Sequence, residues 1–137
     1  MATVSLNNYS VPVKSKKSVL QTTSFLVNTI LSAIKEKKGE NIISLDLRNV
    51  SEAVADYFII CEGASTTQVK AISDNIEKLV AETTGMYPYK QEGQKNAQWI
   101  LTDYVDVVVH VMHPETRSFY KLEEMWSDAN QQLHDND

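Results

Sequence analysis

The chain has 137 residues, of which 42% are hydrophobic and 23% are charged, and its 13 basic and 18 acidic side chains give a formal net charge of -5. At this length one domain with one core is expected. The single cysteine, Cys61, excludes an internal disulfide framework and a zinc site built on paired thiols, which favours a reducing compartment. No apolar run approaches the roughly 20 residues that span a bilayer, and no secretory signal is found, so we expect a cytoplasmic protein without membrane contact.

The charges are distributed unevenly along the chain. Residues 1–40 carry six lysines and two glutamates, a net charge of +4, whereas the other 97 residues carry 7 basic and 16 acidic side chains, a net charge of -9. Nucleic-acid binding depends on Lys and Arg side chains that neutralise phosphates, so an acidic body disfavours it. A basic partner protein would be attracted to this body. An acidic surface that only keeps the protein in solution explains the charge equally well.

Hydrophobic periodicity predicts the elements of the first half of the chain. An amphipathic helix begins near Thr23 and stops at Gly39. Residues 43–47 alternate between apolar and polar side chains, which is typical of a strand with one covered face. Residues 57–61 form a continuous apolar run, which indicates a central strand that is buried on both faces.

The segment at residues 63–85 is the clearest helix in the sequence. Ser65 and Gln68 form a candidate capping box, and Gly85 stands where a left-handed C-terminal stop belongs. The turn before this helix could hold an anion, but capping by Ser65 explains it without a ligand. A strand, a tight turn and a helix of this length allow a later strand to pair in parallel through a right-handed crossover.

The second half of the chain predicts a loop, a hairpin and a last helix. Residues 91–98 are predicted to be a loop, and two antiparallel strands then follow, joined around Tyr104 and Val105. Pro114 occupies the first position of a last helix, which is predicted to continue through residue 133. The apolar stripe of that helix consists of Phe119, Leu122, Met125, Trp126 and Leu133.

These elements predict a single α/β domain at residues 21–134, with a mixed sheet and helices packed on it. Residues 1–20 show neither helical nor strand periodicity and are predicted to be a flexible leader. Residues 135–137 are predicted to be a short tail.

Three separate stretches carry a resemblance to a known family. The runs ADYFIICEGASTTQVKAISDNIE, QEG and WILTDYVDVVVHVMHPETRSFYKLEEMW follow one another with the order and spacing of the Iojap family, which the chain resembles over about residues 24–128. The chain departs from the usual pattern at Thr66 and Thr67, where Asn and Arg are common. Thr102 and Val105 replace an apolar residue and a glycine around the hairpin, and a glycine would ease that turn.

The resemblance implies a fold similar to that of nucleotidyltransferases but without transfer activity. It further implies that the protein is a ribosomal silencing factor, which binds the large ribosomal subunit through the fourteenth protein of that subunit. Bound there, it would sterically block association with the small subunit and so repress translation. The mechanism would be occupancy of a surface, with no catalysis.

The hairpin and the last helix contain the candidate partner-binding residues. Trp99 is either a core residue or an interface anchor, and the resemblance favours the anchor. The full set of candidate contacts is Trp99, Asp103, Asp106, His110, Met112, Tyr120, Glu123 and Glu124. The carboxylates would meet Lys or Arg of a basic ribosomal protein, although turn formation also explains Asp103 and Asp106. A lone histidine in a strand is more often structural than catalytic.

A magnesium-dependent nucleotidyltransferase-like enzyme is the alternative function. Such an enzyme needs carboxylates that converge on magnesium, typically with a Gly-Ser turn and a D-x-D pair on the following strand. Here Ala64 separates Gly63 from Ser65, and no D-x-D pair follows within the next strand. We therefore expect no enzymatic activity, no cofactor and no metal. The sequence leaves open whether two copies of the chain form a homodimer.

Overall fold

The computed structural model describes the backbone of residues 3–6, 9–12 and 16–134, and the side chains of residues 23–134. Its elements in chain order are β1 (Thr3–Leu6), β2 (Tyr9–Pro12), α1 (Lys16–Glu36), β3 (Glu40–Asp46), β4 (Tyr57–Glu62), α2 (Thr66–Thr84), β5 (Lys90–Glu92), β6 (Trp99–Asp103), β7 (Val107–Met112), α3 (Pro114–Tyr120), α4 (Leu122–Met125) and β8 (Asn130–His134). Strands β1 and β2 form a separate antiparallel pair.

The other strands form one mixed sheet in the order β5-β6-β7-β4-β3-β8. All neighbours in this sheet are antiparallel except β4 and β7, which run parallel because helix α2 carries the chain back across the sheet between them. The predicted α/β fold with a mixed sheet is confirmed. The predicted parallel pairing is also found, but with the second hairpin strand, because β6 first turns the chain around.

The first face of the sheet is covered by the two long helices. Ile30 and Ile34 of α1 and Ile72 and Ile76 of α2 have no exposed surface, and they pack with the alternate residues of the sheet that point to this side. Those sheet residues are Ile42, Ile59, Cys61, Ile100, Val107, Val109 and Val111. This face holds the larger part of the core.

The second face of the sheet is covered by shorter pieces of chain. Its buried residues in the sheet are Ile43, Leu45, Phe58, Ile60, Val108 and Met112, and they pack against Leu47, Leu122 and the half-buried Trp126. The loop between β3 and β4 and the segment around α4 provide this cover. This cover does not extend over β6, so Trp99 and Leu101 keep part of their surface in solvent.

The termini of α2 follow the predicted signals. The hydroxyl of Ser65 accepts a hydrogen bond from the Gln68 amide at 3.1 Å, and the Gln68 side chain accepts one from the Ala64 amide at 2.8 Å. Gly85 ends the helix in the left-handed conformation, with φ of 75°. The predicted helix from Thr23 also ends as expected, although α1 begins earlier, at Lys16 within the predicted leader.

The prediction of one long last helix is wrong. The chain leaves the helical conformation at Lys121, whose φ is 51°, so α3 and α4 are separate and residues 130–134 form a strand that pairs with β3. The predicted apolar stripe is broken accordingly, because Phe119, Met125 and Leu133 are 78%, 70% and 73% exposed. Apolar spacing within the segment does not reveal this break. Residues 130–134 form a strand because their backbone groups pair with the distant strand β3 at the edge of the sheet.

The predicted loop after α2 is shorter in the structure. Gln91 and Glu92 of the predicted loop, together with Lys90 before it, form the short edge strand β5. The predicted tail at residues 135–137 lies outside the described residues, and the side chains of the predicted leader are not described, so the boundary at residue 20 stays a prediction. Among the described helices, none is both long and apolar enough to cross a membrane.

Candidate functional site

The β6–β7 hairpin presents alternate residues of β6 to the second face of the sheet. Register places Trp99 opposite Met112 and Leu101 opposite His110, so these four side chains share that face. Strand β5 pairs with β6 only from Leu101 onward, and the helices α3 and α4 are too short to reach over the whole of β6. Trp99 and Leu101 are therefore half-buried at an uncovered end of the sheet.

Trp99 is held between a buried group and an exposed one. Its indole Nε1 donates a hydrogen bond to Nδ1 of His110 at 3.0 Å, below the surface. On the outer side, the ring of Tyr120 lies 4.9 Å from the indole, measured between centroids. The tryptophan is thus neither sealed in the core nor fully exposed, which is the geometry of an aromatic anchor with a polar handle.

The aromatic surface continues onto α3. The rings of Phe119 and Tyr120 are 5.0 Å apart, and these side chains are 78% and 50% exposed. A shallow depression of about 450 Å³ lies beside them, lined by Pro114, Glu115, Ser118 and Phe119. We call the set Trp99, Leu101, Phe119 and Tyr120 the Trp99 surface. A cluster of exposed apolar groups of this kind is typical of an interaction site.

Arg117 holds α3 in the position that creates this surface. Its guanidinium donates to the Asn41 carbonyl at 2.6 Å, lies 3.4 Å from a Glu62 carboxylate oxygen and binds Glu123 at 2.6 Å. Only 11% of the Arg117 side chain is exposed. One side chain therefore ties the start of β3, the end of β4 and α4 together, and it fixes the place where Tyr120 meets Trp99.

The two aspartates of the hairpin lie at the other end of β6. Asp103 is four residues from Trp99 on the same face, about 13 Å along the strand, and its carboxylate accepts a hydrogen bond from the Val105 amide at 2.7 Å. This bond supports a turn in which Val105 has a φ of 75°. Asp106 lies in the turn with its side chain exposed. The part of its carboxyl that is shielded from water, together with the nearby charge of Asp56, raises the pKa of that carboxyl. Turn formation is confirmed for Asp103, and partner contact stays a prediction for both.

The two glutamates after α3 differ in their environment. Glu123 is half-buried and bound to Arg117, so its carboxylate is used inside the protein. Glu124 is exposed and makes no ion pair within residues 23–134. Both glutamates were predicted to be partner contacts, but only Glu124 presents its charge to solvent.

The prediction that His110 and Met112 form part of an exposed surface is wrong. They are 3% and 0% exposed, because β7 is a central strand whose two faces are both covered. His110 packs edge-on against Phe58, with ring centroids 4.7 Å apart. Burial lowers the pKa of its imidazole to about 4, so the ring is neutral at neutral pH. Both residues support the Trp99 surface from beneath.

The structure offers no catalytic constellation in the part of the chain that it describes. No three side chains among His, Cys, Asp and Glu in that part lie close enough to hold a metal ion. Cys61 is fully buried, and burial raises the pKa of its thiol to about 12, so it is not a nucleophile at neutral pH. The hydroxyl of Ser65 is occupied as a helix cap.

Three residues of this site were not identified from the sequence as contacts. Phe119 was assigned to a buried stripe, and its exposure follows from the helix break at Lys121. Leu101 could have been found from strand alternation, since it is two residues from Trp99. Glu123 is a local partner of Arg117, but the role of Arg117 depends on Asn41 and Glu62, which are distant in sequence.

Comparisons with known proteins agree on one family. A family model described as "Ribosomal silencing factor during starvation" matches residues 20–137. The chain is 47% identical over 98 residues to ribosomal silencing factor RsfS of Bacillus subtilis, which covers 72% of this chain and 81% of that protein. It is 40% identical over 104 residues to the protein of the same name from Halalkalibacterium halodurans, covering 76% of this chain and 87% of that protein.

A more distant relative and a solved structure extend this result. A mouse protein named mitochondrial assembly of ribosomal large subunit protein 1 is 29% identical over 105 residues, covering 75% of this chain and 46% of that protein. A crystal structure of a protein from Chromobacterium violaceum superposes with a TM-score of 0.72 at 32% identity, covering 76% of this chain and 85% of that one. The fold is therefore shared with a relative whose structure was solved by experiment.

The different environments of the two glutamates lead to a stability prediction. We expect Glu123→Gln to lower the free energy of unfolding by about 1–3 kcal/mol, because it removes a charge from the partly buried Arg117 cluster. Glu124→Gln is the matched control and should stay within about 0.5 kcal/mol of the unmodified protein. Urea denaturation of both variants measures the difference, and equal stabilities would show that the Arg117 cluster does not hold α4.

The neutral imidazole of His110 leads to a prediction about pH. The unfolded chain binds a proton at this position near its ordinary pKa of 6.5, whereas the folded protein does so only near 4, so stability falls as the pH decreases between these values. From about pH 7 to about pH 5 this group should cost about 2 kcal/mol. His110→Phe should remove that part of the loss.

Urea denaturation at both pH values, on both proteins, isolates the contribution of His110. His134, whose pKa is also lowered by burial and by Lys35, remains in both proteins and so cancels in the comparison. If the variant lost as much stability as the unmodified protein, the imidazole would not be held neutral by the fold.

Proposed function

The chain belongs to the family of ribosomal silencing factors, and we propose that it binds the large ribosomal subunit and, while bound, keeps the small subunit from joining it. The names of its bacterial relatives describe silencing of ribosomes, and the name of the mouse relative refers to the large ribosomal subunit. Those names support binding to the large subunit. They name silencing factors and no enzyme, so we assign no catalytic activity to the chain.

The observation that carries this proposal is the Trp99 surface. A half-buried indole beside exposed Tyr120 and Phe119 is suited to bury a large apolar area against a partner at small cost, because its orientation is already fixed. This surface lies on the face of the sheet that no long helix covers. We propose Trp99 as the anchor and Tyr120 as its neighbour in the interface.

We propose a basic ribosomal protein, the fourteenth of the large subunit, as the direct partner. The net charge of -9 on residues 41–137 supports a positively charged partner, since opposite charges accelerate association and fix its orientation. Asp103, Asp106 and Glu124 would contribute at the edge of the interface. His110, Met112 and Glu123 would act only from within, because they are buried or already paired.

The proposed mechanism is exclusion by volume. A domain bound on the joining face of one subunit prevents the other subunit from approaching, and no bond needs to form or break. Such a factor acts in a one-to-one ratio with its target and must meet ribosomes in the cytoplasm. Its effect therefore depends on its concentration and its affinity for the large subunit.

Sedimentation with purified large subunits tests the anchor. We expect Trp99→Ala to weaken binding more than tenfold, because truncation of a central aromatic anchor costs about 2 kcal/mol or more. Tyr87→Ala removes another aromatic side chain, 73% exposed and outside the Trp99 surface, and should bind as the unmodified protein does. Undiminished binding by a folded Trp99→Ala variant would contradict the assignment of the anchor.

Light scattering during subunit joining tests the mechanism in the same samples. Protein added to large subunits before small subunits should suppress the rise in scattering, with saturation near one protein per large subunit. A variant that no longer sediments with large subunits should not suppress it. Full suppression at a small fraction of one protein per subunit would indicate catalysis and would contradict exclusion by volume.

A further inference from the structure

A buried histidine directly beneath the Trp99 surface accepts the hydrogen bond of its largest side chain. We infer that His110 is a positioning residue, which fixes the Trp99 indole in the orientation that a partner meets. The inference deepens the proposed function and rests on it, because the orientation of Trp99 matters for binding only if Trp99 is part of the interface.

The strand register brings these two rings together. Trp99 pairs with Met112 and Leu101 with His110, so Trp99 and His110 are diagonal neighbours on one face of adjacent strands, within reach of aromatic side chains. The two nitrogens are 3.0 Å apart and the ring centroids 5.8 Å apart. Indole Nε1 can only donate, so His110 Nδ1 must be the acceptor and the neutral ring carries its proton on Nε2.

The indole of Trp99 lies between His110 and Tyr120, and His110 is the more rigidly held of the two. It is 3% exposed, packs against the ring of Phe58 at 4.7 Å and lies opposite Ile60 in the parallel strand β4. Tyr120, which contacts the indole from the other side, is 50% exposed and ends the short helix α3. The residue that orients the indole of Trp99 is therefore His110, in the core of the sheet.

The chain next to Trp99 contacts its main chain and not its ring. Strand β5 ends at Glu92, which pairs with Leu101, so Trp99 extends past the paired part of β6 on that side. The following turn contacts the main chain of Trp99: a Cβ at Gly93, whose φ is 90°, would overlap the carbonyl oxygen of Trp99. This contact fixes the main chain of the residue, and the hydrogen bond to His110 is the one directed polar contact of its ring among the described side chains.

Removing the acceptor should leave the indole N–H half-buried and without a partner. The ring would then exchange among rotamers, and a partner would have to order it on binding. We expect His110→Phe, which keeps a buried aromatic ring beside Phe58, to bind large subunits about three- to tenfold more weakly. His110→Asn places an amide oxygen near the position of Nδ1 and should restore most of the affinity.

The indole N–H signals in a ¹H–¹⁵N spectrum of the free protein report on this hydrogen bond, and comparing His110→Phe with His110→Asn separates the loss of the bond from a change of packing. The chain has two tryptophans, so it gives two such signals, and that of Trp126 is the internal reference. In His110→Phe the Trp99 signal should shift upfield in the proton dimension and exchange faster with solvent. In His110→Asn it should stay close to its original position.

The two readouts separate this inference from the function on which it rests. A shifted Trp99 signal with weaker binding in His110→Phe, and recovery of both in His110→Asn, would support it. An unchanged Trp99 signal in His110→Phe would overturn it. Undiminished binding by Trp99→Ala would instead contradict the docking surface, while the spectrum of the free protein would still decide whether His110 orients the indole.

Discussion

The structure depends on the unequal cover of the two faces of its sheet. Both faces of the central strands β4 and β7 are apolar and must be removed from water. The two long helices lie on one face, so the other is left to a loop and to a broken C-terminal segment. That cover is sufficient at the centre of the sheet and incomplete at β6. Trp99 is half-exposed as a consequence, so the protein presents an apolar surface on a regular strand of its sheet.

Two polar residues with little exposed surface turn this gap in the cover into a defined surface. Arg117 binds groups from three elements and fixes the end of α3, which carries Tyr120. His110 holds the indole of Trp99 from the core side. In each case one polar side chain with little exposure, hydrogen-bonded to its neighbours, determines where an aromatic ring lies. A surface organised in this way can bind with little loss of conformational freedom, which suits a factor that acts by occupying a site.

Much of this architecture could be predicted from the sequence, where the signals are local. The caps of α2 at Ser65 and Gly85 and the hairpin around Val105 depend on neighbouring residues only, and the structure contains them. The C-terminal segment could not be predicted in the same way, because the break at Lys121 is stabilised by Arg117 and its distant partners, and residues 130–134 pair with β3. His110 and Met112 were misplaced for a related reason: alternation shows which residues share a face but not whether that face is covered.

Hydroxyl-radical oxidation of the protein alone and bound to large ribosomal subunits tests the central claim most directly, because it reports the exposure of individual aromatic side chains. Phe119 and Tyr120, 78% and 50% exposed, should become protected on binding, whereas Phe25 on α1 and Tyr87, 51% and 73% exposed, should react as before. Protection of Phe25 with no change at Phe119 and Tyr120 would place the ribosome on the helical side and contradict the account.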